Sequence, residues 1–382
     1  MRPIGSLCAT LCLVACSTLA IAATEQPGTD QTVQRAAEHV MQLHNIPGLA
    51  IALTVNGKQR FYNFGVSSRE TQQLVTSDTL FEIGSISKTF TATLATYAQA
   101  SGALSLADRP SKYLPSLQGS HFDKITLVNL GTHTAGGLPL QVPEEIQSPG
   151  QLMAYFKAWQ PDYAPGSNRT YSNPGTGMLG MIAAKSLNLP IEKALEQRLF
   201  SELGMPNSYV KVPEGKMPLY AQGYTKEDVP ARLNPGVLAA EAYGVKSSAR
   251  DMLRFVEANL GFAELDATLQ QALVDTRFGY FEVGAMTQAL IWEQYRYPVT
   301  LNTLLTGNAP NMAYETNPVV KLTPPLPPED AFWVNKTGST NGFGAYAAFV
   351  PAKQTGIVLL ANKNYPITSR VSLAHQILSE LD

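Results

Sequence analysis

The chain has 382 residues, 45% of them hydrophobic and 15% charged, with a formal charge of −2. That composition excludes a disordered chain and leaves room for a large core spread over more than one lobe. No basic stripe runs through the sequence, which argues against nucleic acid as a partner.

In chain order, Arg2 gives a positive start and an apolar run follows from Ile4 to Ala22. It ends in Ala20-Ile21-Ala22-Ala23, a small-x-small pattern, and turns polar at Thr24. This predicts a secretory signal peptide over residues 1–22. Two alternatives share the segment: an uncleaved anchor, and a lipoprotein box in which Leu13-Val14-Ala15 precedes a lipid-bearing Cys16. The apolar run continues past Cys16, which favours cleavage near Ala22. All three cysteines, Cys8, Cys12 and Cys16, fall in this leader. A chain cleaved there has no disulfide, no thiolate nucleophile and no cysteine metal site.

Residues 31–44 carry helical spacing, and strand-like runs flank Asn56-Gly57, a hairpin signal. Helical patterns then recur at Thr89–Ala100, Ser148–Trp159, Thr176–Asn188 and Pro190–Leu203, and Ser248 begins another helix with a capping-box-like start. Pro324-Pro325-Leu326-Pro327-Pro328 predicts a rigid surface connector. Two strands, Gly344–Val350 and Gly356–Leu360, and a helix over Thr368–Leu381 close the chain. Helix and hairpin at both ends predict an α/β fold whose antiparallel sheet is built from the two chain ends, with a mainly helical lobe inserted. The expected division is 23–80 with 230–382 for the sheet domain and 81–229 for the helical one.

Three short motifs carry chemistry. Ser85-Ile86-Ser87-Lys88 at a helix start puts Lys88 within reach of the Ser85 hydroxyl, a weak nucleophile that needs an adjacent base. Lysine can be that base if burial or positive neighbours lower its pKa. In Tyr171-Ser172-Asn173, a phenol can shuttle a proton where cations stabilise its phenolate. In Lys336-Thr337-Gly338-Ser339, a lysine on a strand can bind a carboxylate, and glycine lets a ligand approach the backbone. Taken singly, each has a plain structural explanation: a capping serine with a solvated lysine, a buried hydrogen-bonded tyrosine, a turn leading into a strand.

Taken in order, S-x-x-K, Y-x-N and K-T-G resemble the signature set of the penicillin-recognising serine hydrolases. The tyrosine heading the middle motif is similar to class C serine β-lactamases rather than class A, and no E-x-x-L-N run follows it. The likeness extends to Phe81-Glu82-Ile83-Gly84 before Ser85, to the loop Ala135–Pro143 with Gln141, to Pro235–Leu238 and Ala240–Lys246 with Tyr243, and to Ala361–Pro366. It spans nearly all of the chain after the leader. It implies a β-lactam hydrolase, a cephalosporinase conferring resistance, acting in the periplasm as a monomer on small-molecule β-lactams, with no cofactor or metal and no membrane association after cleavage. Ser85 would be the nucleophile, Lys88 and Tyr171 would move protons, and the backbone N–H groups of Ser85 and Ser339 would form the oxyanion hole. Gln141 and Asn173 would hold the side-chain amide, with Tyr243 as the floor of the site. Lys336, Thr337, Gly338 and Asn364 would complete the carboxylate side. A peptidase or esterase on the same scaffold, acting on D-Ala-D-Ala or small esters, shares Ser85 and Lys88 and is the alternative; a sensor acylated only once is a further one.

Two positions depart from the pattern. Asn335 stands where many relatives have His, and Ile367 where many have Asn. Isoleucine has no donor, so the carboxylate contact is expected to weaken or to move to Thr337 and Arg370. Other motifs carry less. Gly175–Gly180 matches G-x-G-x-x-G but follows no strand. His39, His44, His121, His133 and His375 show no metal-ligand spacing, and His133 is expected to pack.

Overall fold

The computed structural model describes residues 27–381. The leader and its cysteines lie outside the described residues. Among those described, no helix is long and apolar enough to cross a membrane, and no His, Cys, Asp and Glu group could hold a metal ion.

A nine-stranded sheet organises the fold. Its order across the sheet is Val320–Leu326, Gly279–Val283, Met286–Gln288, Glu293–Arg296, Phe332–Ser339, Gly344–Val350, Thr355–Ala361, Gly48–Val55 and Lys58–Gly65. Every neighbouring pair is antiparallel. The N-terminal hairpin thus pairs with the C-terminal one, Leu49 opposite Ala361, and the sheet is built from both chain ends. Asn56 and Gly57 both adopt positive φ, 51° and 76°, the conformation a two-residue type I′ turn needs.

Strand alternation splits the apolar residues between two layers. Leu49, Ile51 and Leu53 join a cluster with Val33, Val371 and Ile377 from the helices Pro27–His44 and Ile367–Ser379. Ala50 and Ala52 join the other cluster, which contains Met252, Phe255 and Val256 of the helix Ala249–Asn259 and extends through the helical lobe. At the centre of that lobe is the helix Ser87–Ala100, buried on almost every side. Its threonines satisfy their hydroxyls within the helix and across to its neighbours: Thr93 donates to the Thr89 carbonyl, and Thr96 to those of Ala92 and Ala272. A helix with so much polar character can therefore sit in a core without unpaired hydroxyls.

Three elements differ from expectation. The helix predicted from Thr176 begins at Asn173, with Ser172 as its N-cap accepting from the Gly175 N–H at 3.0 Å. The Pro190–Leu203 stretch is helical but includes a π-helical segment, Ala194–Phe200. The proline-rich stretch is not a connector throughout. Pro324, Pro325 and Leu326 lie in the outermost strand, whose register shifts between Lys321 and Leu326. An edge strand has one unpaired side, where a residue lacking an N–H is tolerated.

Candidate active site

Ser85 sits in a 3-10 turn, Gly84–Ile86, that runs into the central helix. Gly84 has φ +52°, and a Cβ there would collide with the Ser339 backbone. A Cβ on Gly338 would collide with the Ile83 carbonyl. Two glycines therefore let the turn carrying the serine press directly on the end of the strand Phe332–Ser339. The main chains of Ser85 and Ser339 become neighbours, as a shared oxyanion hole requires.

One helical turn on, Lys88 is fully buried. Its Nζ donates to Ser85 Oγ at 3.0 Å and to the Ala242 carbonyl at 2.8 Å. Burial is the main influence on this ammonium. Tyr171 opposes it and Lys336 adds to it, and the pKa falls to about 8. Tyr171 is also buried. Burial alone would raise its pKa, but Lys336, then Lys88, then the Ser85 hydroxyl outweigh it and bring the phenol down to about 8. The Nζ atoms of Lys88 and Lys336 lie 5.2 and 5.1 Å from the centre of its ring, and the Arg169 guanidinium 5.4 Å. The Tyr171 hydroxyl meets no partner in hydrogen-bonding geometry, and neither does Asn173 Oδ1. Ser85, Lys88 and Lys336 are nonetheless close enough to bear on that phenol's ionisation. Buried polar atoms left unpaired are costly, and they collect at functional sites.

Lys336 leaves the strand on the Tyr171 side, opposite to Asn335. Its Nζ is 3.6 Å from Glu293 Oε1, which is also 3.2 Å from an Arg169 guanidinium nitrogen. Burial would lower the Lys336 pKa, but Glu293 and then Tyr171 outweigh it and hold the ammonium above the usual lysine range. Lys336 is thus fixed as a cation while Lys88 is poised near neutrality.

The remaining expected residues surround this centre. The Leu140 carbonyl accepts from Asn173 N at 3.0 Å, tying the exposed Gln141 loop to the Tyr171 segment. Tyr243 is half-buried and adjoins Ala242, the Lys88 acceptor. Thr337 is half-buried, and its carbonyl accepts from Lys336 Nζ at 3.3 Å. Asn364 Oδ1 accepts from Arg370 at 3.1 Å.

Arg370 differs from expectation. It is fully buried, and its two terminal nitrogens donate to the Gly338 carbonyl, Ser339 Oγ, Asn364 Oδ1 and the Tyr365 carbonyl. It braces Ser339 and Asn364 from behind and presents no face of its own. Ile367 is half-buried against the Pro27–His44 side of the sheet. Asn335, in the place of the more usual histidine, is sealed in a polar network: its Oδ1 accepts from Tyr346 at 2.8 Å and from Asn308 at 3.2 Å, and its amide donates to the Glu293 carbonyl at 3.0 Å.

Sequence reasoning missed Arg169 and Glu293. Arg169 lies in the short polar stretch Ser167–Thr170, and Glu293 follows the apolar run Ala289–Trp292. For Glu293 the available signal was a charge directly after that apolar run; Arg169, among Ser167, Asn168 and Thr170, offered none. His133 was expected to pack, and its ring does lie 4.3 Å from that of Tyr171, but it also takes the Ser172 N–H.

The Beta-lactamase family model matches residues 33–382, and the chain belongs to the β-lactamase family. A β-lactamase of Lysobacter lactamgenus is 52% identical over 91% of each chain. The crystal structure of a class C β-lactamase in complex with cefoxitin is 54% identical, with a TM-score of 0.90 over 92% of this chain and 98% of that one. A β-lactamase/D-alanine carboxypeptidase from Pseudomonas syringae is 59% identical, with a TM-score of 0.91 over 93% and 99% of the two chains. Within the family the chain is of class C type, a β-lactam hydrolase with the β-lactamase/transpeptidase fold.

Proposed function

We propose that the protein is a cephalosporinase that works through an acyl-enzyme on Ser85. The observation that carries this reading is Lys88 Nζ at 3.0 Å from Ser85 Oγ, in a buried group whose other members are Tyr171 and Lys336. Ser85 Oγ attacks the lactam carbonyl carbon as its proton passes to the Lys88–Tyr171 pair. The oxyanion is held by the N–H groups of Ser85 and Ser339. The lactam C–N bond then breaks, and the nitrogen takes the proton back from the pair. A water molecule gives its proton to the same pair and attacks the ester carbonyl, and Ser85 Oγ leaves and is reprotonated.

In this reading Gln141 and Asn173 hold the substrate's side-chain amide, with Tyr243 as the floor. Lys336 supplies the charge for its carboxylate, with Thr337, Gly338, Ser339 and Asn364 beside it. Ile367 offers no donor there, so the carboxylate relies more on Lys336 and Thr337. These residues come together from a sheet domain, residues 23–80 and 230–382, and a helical domain, residues 81–229. The enzyme acts as a periplasmic monomer after removal of residues 1–22, needs no cofactor, and confers β-lactam resistance.

The test is turnover of a chromogenic cephalosporin. Wild type should turn over many times, and Ser85→Ala should lose roughly four orders of magnitude or more with its fold intact. An alanine variant at the wild-type rate overturns the nucleophile. One relative's double name, β-lactamase/D-alanine carboxypeptidase, supports a second reading, release of D-alanine from peptides ending in D-Ala-D-Ala. Fast peptide turnover with a long-lived penicillin adduct would favour it.

A further inference from the structure

We propose that His133 is a positioning residue for the Tyr171 phenol, gripping the main chain on both sides of it. The His133 carbonyl accepts the Thr170 N–H at 2.9 Å, and its Nδ1 accepts the Ser172 N–H at 3.2 Å. Tyr171 is thereby bracketed, and the imidazole lies on its ring at 4.3 Å with the planes 34° apart. The grip needs an unusual backbone. His133 has φ +61°, a left-handed conformation in which His, like Asn and Asp, is enriched among non-glycine residues. This turn lets one residue offer its carbonyl and its ring to the same strand of chain.

The chemistry of the grip fixes the tautomer. An N–H donor at Nδ1 requires that nitrogen to be bare, so the proton of a neutral ring sits on Nε2. Nε2 is buried and has no partner. Protonating the ring would set N–H against N–H and add a positive charge to a crowded place. The charged or titratable groups facing it are Arg169 from the strand Asn168–Thr170, Lys88 from the central helix, Lys336 from the strand Phe332–Ser339, and Tyr171 itself. Among the described residues the carboxylate bound to this group is Glu293, from the strand Glu293–Arg296. Burial and then Arg169, Lys88 and Lys336 hold the His133 pKa well below the usual histidine value. The ring therefore stays a neutral acceptor and leaves the phenol's balance of cations unchanged.

The inference rests on the proton-transfer role proposed for Tyr171, so the experiment includes that residue. His133→Phe keeps a ring without the acceptor. His133→Asn keeps an acceptor and tolerates the left-handed backbone. Misplacing a reacting group by about 1 Å can cost ~100-fold. His133→Phe should lower kcat on that order with little change in KM. It should also move the acid limb of kcat/KM to higher pH, because the phenol drifts from its two ammonium groups. His133→Asn should recover most of the loss. In 15N NMR of the wild-type protein, Nδ1 of His133 should remain unprotonated at pH values where an ordinary histidine has gained its proton. A His133→Phe variant with wild-type kcat and acid limb, losing only thermal stability, overturns the proposal. So does His133→Asn no better than His133→Phe, or an imidazolium at pH 6. Tyr171→Phe measured alongside separates the two ideas: if it is impaired while His133→Phe is normal, the His133 inference alone fails. If Tyr171→Phe is normal, the proton-transfer reading fails and takes the inference with it.

Discussion

Replacing Glu293 by glutamine is the perturbation whose consequences the structure defines best. Glu293 Oε1 lies 3.2 Å from Arg169 and 3.6 Å from Lys336, and all three side chains are nearly inaccessible to water. At an effective dielectric of about 20, each contact is worth roughly 5 kcal/mol of Coulomb energy before desolvation. Most of that gain is offset by the cost of burying the charges. What a mutation exposes is the penalty of cations left without a partner, which is about 3–5 kcal/mol. Glu293→Gln should therefore lose stability of that order in denaturant unfolding at neutral pH. It should also act on catalysis with a definite sign. Glu293 opposes ionisation of Tyr171 and lifts the pKa of Lys88. Removing its charge lowers both, so the acid limb of kcat/KM should move to lower pH. A variant as stable as wild type, or one whose acid limb stays in place or rises, would refute the reasoning about this charge cluster.

The wild-type enzyme should lose one proton from the Lys88–Tyr171 pair near pH 8, because each group is brought to about 8. kcat/KM should therefore climb as pH rises through that region, with the apparent pKa belonging to the pair; a flat profile from pH 6 to 9 would contradict it. Gly338→Ala should cost about 100-fold in kcat/KM or more, since its Cβ collides with the Ile83 carbonyl and pries Ser339 from the Ser85 turn; steady-state kinetics on the folded variant checks this. Asp228→Asn should cost about 1 kcal/mol or less, since Asp228 and Arg69 are partly solvated. Lys363 first, with Asn45 and Arg69, holds that carboxyl down at about 2. Because the folded pKa is depressed, the contribution is full above the ordinary carboxylate value and disappears as pH falls through about 2. Unfolding curves of the two proteins should thus differ at pH 7 and converge near pH 2.

The candidate site was largely legible in the sequence because each part is a short motif with its own local geometry. Ser85 and Lys88 meet by helical spacing alone. Tyr171 and Asn173 straddle a helix N-cap, and Lys336 and Gly338 share one side of a strand. The sheet was legible at its ends, where the Asn56-Gly57 turn and the two apolar runs Gly344–Val350 and Gly356–Leu360 mark the hairpins. What could not be read was set by tertiary contact. Arg169 and Glu293 are more than a hundred residues apart and have meaning only as a pair. His133 becomes significant because a left-handed backbone turns it onto Tyr171. Arg370 looked able to reach a carboxylate, but it is fully buried and its two terminal nitrogens are taken by four acceptors inside the protein. The Pro324–Pro328 stretch misled because position at a sheet edge is not written in local composition.

The account depends most on a covalent bond forming at Ser85 and being released quickly. Rapid-quench intact-mass analysis with a cephalosporin, followed by peptide mapping, measures this directly. An adduct should arise within the first turnover, map to Ser85 and vanish as substrate is consumed, and Ser85→Ala should carry none. Full hydrolysis with no adduct at any quench time, together with activity retained by the alanine variant, would contradict the account.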